Sequence, residues 1–193
     1  MYIRLCKGLE DLHDLCYYLL NTHLLKAGGT SLQGGTPMSK RLAGYDYSQP
    51  GFYFVTICTQ QRRPVFGTIV GEQVCLKEPG QIAHSMWLTL PKRFSHLKLH
   101  EYVFMPNHLH AILELTDLDP IHIGSRAALW EIVRVFKAVT SYQIRRSEGQ
   151  PWFAWQEDYY DGIIRTEAAL LQIRQYILEN PIRWRQDELY KRY

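Results

Sequence analysis

Long apolar runs are missing from this chain, and their absence sets the first limit on what it can be. No stretch approaches the ~18 apolar residues that a membrane-spanning helix needs. The most apolar early segment, Leu15 to Leu20, is short and follows Glu10, Asp11 and Asp14. The expectation is a chain with neither signal peptide nor membrane anchor. Cysteine is scarce as well. Cys6, Cys16, Cys58 and Cys75 lie far apart, with no CxxC pair to suggest zinc and no dense framework to suggest secretion. That usage fits a reducing cytoplasm. Charge of one sign is also in short supply: 22 Lys and Arg against 19 Asp and Glu leave a formal charge of +3. Bulk charge therefore does not coat nucleic acid, and any polynucleotide site must come from local clustering. No internal repeat is evident.

What is present is enough for one sizeable core in 193 residues, 46% of them hydrophobic, with 13 tyrosines and 5 tryptophans. Residues 9 to 25 place Leu9, Leu12, Leu15, Cys16, Leu19 and Leu20 at helical spacing, and Ala27 to Lys40 is a Gly-, Ser- and Thr-rich linker. We therefore divide the chain into residues 1–40, an amphipathic helix with a flexible linker, and residues 41–193, the main domain. Phe52 to Gln60 (FYFVTICTQ) reads as a strand and Thr68 to Leu76 as a small hairpin turning near Gly71-Glu72. Gly80 to Phe94 reads as a helix. Leu97 to Phe104 and His108 to Leu115 are extended runs parted by Met105-Pro106-Asn107. A second helix, about Arg126 to Arg146, is expected to bury Leu129, Ile132, Val133, Phe136, Val139 and Ile144. Asp161 to Arg165 reads as a short strand, and Glu167 to Asn180 as a third helix stopped by Pro181. This is the order of an α+β, ferredoxin-like or RRM-like split βαβ fold: an antiparallel sheet with helices on one face, plus a C-terminal helix. Such a fold leaves the other sheet face free, and it does not by itself give a function.

Three features could carry chemistry. His108 and His110 are two apart in a strand, so both imidazoles project to one face while Leu109 enters the other, a geometry suited to two ligands of one metal. Alone this decides nothing, since an H-x-H occurs by chance in roughly one chain in three of this histidine content. On the third helix, Leu170, Leu171, Ile173, Ile177 and Leu178 form an apolar face, with Tyr176 and Asn180 on its border. Taken singly, Tyr176 reads first as a ring packed on the sheet, and Asn180 equally as a helix stop. The polar side of the second helix carries Arg126, Trp130, Arg134, Lys137, Ser141 and Arg145, a pattern shared by phosphate-gripping and plainly solvated faces. Trp152, Trp155, Tyr159 and Tyr160 lie in one loop, where exposed rings would offer stacking surfaces for single strands and buried ones would be core.

Taken in order, GYDYSQPGFYFVTICTQ, VFMPNHLHAIL, WQEDYYDGIIR and QIRQYILENPIRW resemble the tyrosine transposases of single-strand insertion sequences. The resemblance is to the REP-associated branch of these His-hydrophobic-His endonucleases and runs from about Arg41 to Trp184. It implies that His108 and His110 bind a divalent metal, Mg2+ or Mn2+, that Tyr176 is the nucleophile, and that Asn180 completes the metal shell. It further implies a single-stranded DNA endonuclease and strand transferase. Such an enzyme works through a 5′-phosphotyrosine intermediate at DNA hairpins or palindromes, as monomer or homodimer, without a nucleotide cofactor. Its setting would be the prokaryotic cytoplasm, at the nucleoid. Arg126, Arg134, Lys137, Arg165 and Arg183 are the candidate DNA-backbone contacts, and Trp155 the candidate stacking surface. A hairpin-binding regulator without cleavage, and a metal nuclease using water, are the competing readings. One position departs from the pattern: Gly162 stands where the block resembling YYxHIIR leads us to expect His. Residues 1–37 fall outside the resemblance and Met38 directly precedes it, so translation from Met38 is a further expectation.

Overall fold

The computed structural model describes residues 42, 44–117, 126–147, 150–187, 189 and 190. The expected N-terminal helix and linker lie outside the described residues. In chain order the elements are β1 (Gly51–Cys58), a 3-10 turn (Gln60–Arg62), β2 (Gly67–Val70), β3 (Gln73–Leu76) and α1 (Glu78–Arg93). They continue with β4 (Leu97–Met105), β5 (His108–Leu115), α2 (Leu129–Arg146), β6 (Tyr160–Ile164), α3 (Glu167–Glu179) and a second 3-10 turn (Trp184–Gln186). Among the described residues no helix is long and apolar enough to cross a membrane.

Four strands form an antiparallel sheet in the order β4-β5-β1-β6, the split βαβ arrangement that the order of elements predicts. β5 and β1 are interior and buried on both faces, which is why their sequences are rich in β-branched and large apolar residues. On one face Tyr53, Val55 and Ile57 of β1 and Leu109, Ala111, Leu113 and Leu115 of β5 meet Ala83, Trp87 and Leu90 of α1 and Leu129, Ile132, Val133 and Phe136 of α2. On the other face Phe54 and Ile112 meet Ile164 and the apolar side of α3, Leu170, Ile173 and Ile177. The second face is therefore not free: α3 lies across it.

Several boundaries and burial patterns differ from the sequence reading for identifiable reasons. α2 begins at Leu129, with Ala128 as its cap, rather than near Arg126. Thr140 is buried there in place of Val139, which is 37% exposed. The Thr140 hydroxyl returns a hydrogen bond to the carbonyl of Phe136 and accepts one from Trp155 Nε1 at 3.2 Å, so a polar residue is satisfied inside. On α3, Leu171 and Leu178 are exposed, leaving a narrower apolar stripe. The β2–β3 hairpin turns at Gly71, whose φ of +62° suits glycine. It sits against the turn between β4 and β5 through Phe66 N–H donating to Pro106 O at 2.9 Å.

Candidate active site

The site forms where β5 starts, and Asn107 sets its chemistry. This residue is 1% exposed and occupies the two-residue turn after β4. Its Nδ2 donates to the carbonyls of Arg62 at 3.1 Å and Leu189 at 2.8 Å, which orients the amide and leaves Oδ1 as an acceptor. His108 Nδ1 lies 2.7 Å from that Oδ1 and must therefore be the protonated nitrogen. Nε2 is left with its lone pair, buried and without a hydrogen-bond partner. Burial first, then His110 and Arg62, hold the His108 pKa well below the ordinary histidine value, so the ring is neutral and able to ligate. An oriented imidazole whose other nitrogen donates to a fixed oxygen is the usual setting of a metal-ligating histidine.

His110 projects beside it, the two ring centroids 4.3 Å apart. Its Nδ1 lies 2.8 Å from Thr56 Oγ1, and its ring stacks on Phe54. Its Nε2 lies 3.1 Å from the hydroxyl of Tyr176. Tyr176 reaches the site because Ile173 and Ile177 bury the neighbouring stripe of α3 and hold the helix to the sheet. A second anchor is Arg174, whose Nε donates to Glu101 Oε2 of β4 at 2.9 Å. Thr166 caps the start of α3 by accepting from Ala169 N at 3.2 Å.

One helical turn beyond Tyr176, Asn180 ends α3 with its side chain buried. Its Nδ2 donates to Asp187 Oδ2 at 3.1 Å, while its Oδ1 is buried without a hydrogen-bond partner. Asp187 follows the second 3-10 turn, whose Trp184 packs against the His108 ring at 5.8 Å between centroids. Asp187 Oδ2 is 3.9 Å from His108 Nε2, too long for a hydrogen bond. It is, however, within the span of two ligands about 2.0–2.2 Å from one ion, and the two atoms would draw slightly closer on binding it. His108, His110 and Asp187 offer ligand atoms all within 4.8 Å of one another. The residues thus fit a divalent metal, with the unpartnered Nε2 and Asn180 Oδ1 as the strongest signs. The donors are imidazole nitrogens with carboxylate and amide oxygens, a set open to several divalent ions. Cys58, opposite His108 in the strand ladder, is pushed up to about 12 by burial and presents a neutral thiol.

The structure brings His108, His110, Tyr176 and Asn180 together, but the expected DNA contacts do not converge with them. Trp155 is only 7% exposed, packed against Phe66, Phe136 and Phe153, so it has no open face for a base. Lys137 Nζ donates to the carbonyls of Gln156 and Glu157, each at 2.6 Å, and serves to clamp that loop. Arg126 bonds Ser48 O at 3.2 Å and Asp117 at 3.3 Å. Arg134 is exposed, but α2 covers the face opposite the histidines. Arg165 is exposed at the end of β6 away from the site. Arg183, which pairs with Glu179 at 2.8 Å, is the one of these cations beside it. Sequence reasoning missed Asp187, which no motif spacing marks, and the orienting roles of Asn107 and Thr56. Asn107 stood within the quoted MPNHLH block, and that was a signal.

A search against protein-family models finds no match. An uncharacterized protein of Haemophilus influenzae is 39% identical over 167 residues, 79% of this chain and 92% of that protein. Among solved structures, that of a REP-associated tyrosine transposase bound to a REP hairpin superposes with a TM-score of 0.50 at 21% identity, over 76% of this chain and 74% of that one.

Proposed function

Because the chain belongs to one family with the Haemophilus protein and has the fold of a REP-associated tyrosine transposase, we propose that it is a metal-dependent single-stranded DNA endonuclease and strand transferase with Tyr176 as nucleophile. The observation that carries this reading is the Tyr176 hydroxyl, 3.1 Å from Nε2 of His110, whose ring lies 4.3 Å from that of His108 with its buried, unpartnered Nε2. A half-buried tyrosine in contact with a buried ligand set on one sheet face is an arrangement that suits covalent phosphoryl transfer.

His108, His110, Asn180 and Asp187 would hold the ion, Mg2+ or Mn2+. When bound, it supplies positive charge to the non-bridging oxygens of one DNA phosphate. The chain's own residues do the rest. The contact of the Tyr176 hydroxyl with His110 Nε2 sets the tyrosine beside the ligand set and would give way when that nitrogen takes the ion, while Ile173, Ile177 and the Arg174–Glu101 pair fix the helix that carries it. Tyr176 Oη then forms the new bond to phosphorus while the bond to the 3′ oxygen breaks in line with it. In net terms the phenolic proton ends on that 3′ oxygen. The 5′ phosphate stays on Tyr176 as an ester, so a second 3′ hydroxyl can reverse the step and join strands without a nucleotide cofactor. The solved relative in shape holds a REP hairpin, which supports a DNA hairpin with flanking single strand as the substrate here. Arg183 is the backbone contact best situated for it, with Arg134 and Arg165 as outlying contacts. The protein would act in the cytoplasm at the nucleoid, as monomer or homodimer.

The test is a denaturing gel of protein incubated with labelled hairpins from the flanks of its own gene, with Mn2+ or chelator. A slow-migrating adduct that requires both metal and Tyr176, and is lost by at least about 1,000-fold in Tyr176→Phe, is the expected result. Cleavage that survives Tyr176→Phe without an adduct would assign the chemistry to water. Binding with no cleavage by either protein would favour the regulator.

A further inference from the structure

The 3-10 turn after β1 is held in a backbone conformation that its side chains do not favour. Gln61 and Arg62 have φ of 57° and 56°, and neither is glycine. Arg63 N closes the turn on Gln60 O at 3.3 Å. Two successive positive φ values normally call for Asn-Gly, and strain of this kind persists only where the surroundings enforce it. Here they do. Arg62 O accepts from Asn107 Nδ2 at 3.1 Å, Arg63 O accepts from Thr59 Oγ1 at 2.8 Å, and Gln60 N donates to Ala154 O at 2.8 Å. The same Asn107 orients His108, so the strained turn is coupled by one side chain to the candidate metal centre.

The turn projects Arg63 over Trp152, its guanidinium carbon 5.0 Å from the ring centroid. Trp152 is 46% exposed, although the backbone beside it is fixed: Thr59 and Trp155 form a β-bridge, and Arg145 Nε donates to Phe153 O at 2.7 Å. Arg63, Trp152, Thr59, Gln60 and Val65 line a crevice of only about 10 Å³, so a base would stack on the exposed indole rather than enter a pocket. An indole with a guanidinium on one face and solvent on another is a ready stacking platform for an unpaired base, and Arg62 and Arg63 supply charge for the adjoining phosphates.

We propose that Trp152, Arg62 and Arg63 form a seat for an unpaired nucleotide of the strand that flanks the DNA hairpin. This rests on the nuclease reading and adds to it the part of the substrate that carries no base pair. Duplex DNA has no base free to stack, so the seat selects for a single-stranded flank.

The experiment measures fluorescence anisotropy of labelled hairpins with and without short single-stranded flanks, all in chelator so that no cleavage occurs. Trp152→Ala should weaken binding of the flanked hairpin by about 5- to 150-fold, the span that loss of one base–aromatic stack produces, and leave the blunt hairpin unchanged. Trp152→Phe, which keeps a ring, should retain most of the affinity. Arg63→Gln should lower the salt slope for the flanked hairpin by about 0.7, one phosphate contact on a single strand. Equal loss on both hairpins, or no loss on either, overturns the seat. The two readings fail separately. A Tyr176-dependent adduct in a protein whose flank binding ignores Trp152 removes the seat alone. Trp152-dependent flank binding with no adduct keeps the seat and removes the nuclease.

Discussion

The two faces of the sheet are built from the same two interior strands, yet they close in different ways. Toward α1 and α2, the alternate residues of β1 and β5 meet a largely apolar layer around Trp87 and Phe136, in which the hydrogen-bonded Thr140 and the unpartnered Trp87 Nε1 are polar exceptions. Toward α3, the apolar layer stops halfway. Phe54 and Ile112 take Leu170, Ile173 and Ile177, and the rest of that face holds Thr56, His108, His110, Asn180 and Asp187, all buried. Burying polar atoms without partners costs about 1–3 kcal/mol each. The first face can therefore supply stability, while the second spends part of it on His108 Nε2 and Asn180 Oδ1. The difference teaches where to look for function in such a fold: at the edge where a hydrophobic layer gives way to buried polar atoms.

That division can be broken by mutation. The largest effect on stability should come from Trp87→Ala on the apolar face, about 3–5 kcal/mol, read from urea unfolding in chelator. A variant as stable as the parent would show that the apolar face does not carry the fold. A smaller effect, of opposite sign, should follow Mn2+ at a hundred times its dissociation constant, which should raise unfolding free energy by about 2.7 kcal/mol. His108→Leu or Asp187→Ala should remove most of that gain. If Asp187→Ala keeps it in full, the aspartate is not a ligand.

The smallest effect is the dependence on acid. His108 has its folded pKa well below the ordinary histidine value of 6.5, through burial first and then His110 and Arg62. The unfolded chain therefore takes up the proton first as pH falls. The stability contributed by the neutral ring is fully present above about 6.5 and is lost below it, at about 1.4 kcal/mol per pH unit, until the folded pKa is reached. In chelator, His108→Leu should be less acid-sensitive than the parent by that slope. Parallel curves for the two proteins would mean that the imidazole is not held neutral.

Much of this was legible in the residues, and what was not has physical causes. Strand alternation put His108 and His110 on one side and Leu109 on the other, because a period of two leaves no freedom once the strand is given. The border position of Tyr176 on α3 was equally readable, but which side of the sheet the helix covers is decided by packing and not by helical period. Asp187 was invisible because its carboxylate is brought in by the turn around Trp184, not by any spacing from the histidines. Trp152 and Trp155 lie in one loop, and composition does not tell them apart. The bridge between Thr59 and Trp155 does, fastening the second ring inside and leaving the first outside. Lys137 looked like a phosphate contact because it lies on a basic stripe, yet two backbone carbonyls have claimed it.

The turn of Pro106 and Asn107 has a consequence beyond orienting one imidazole. It is only two residues long, so it sets the phase in which β5 is read against its neighbours. A slip by one position would exchange the contents of the two faces, sending both histidines into the oily layer beside Trp87 and turning Leu109 and Ala111 toward Tyr176. The side chains of this strand thus carry their meaning in one register only, and the turn acts as its start mark.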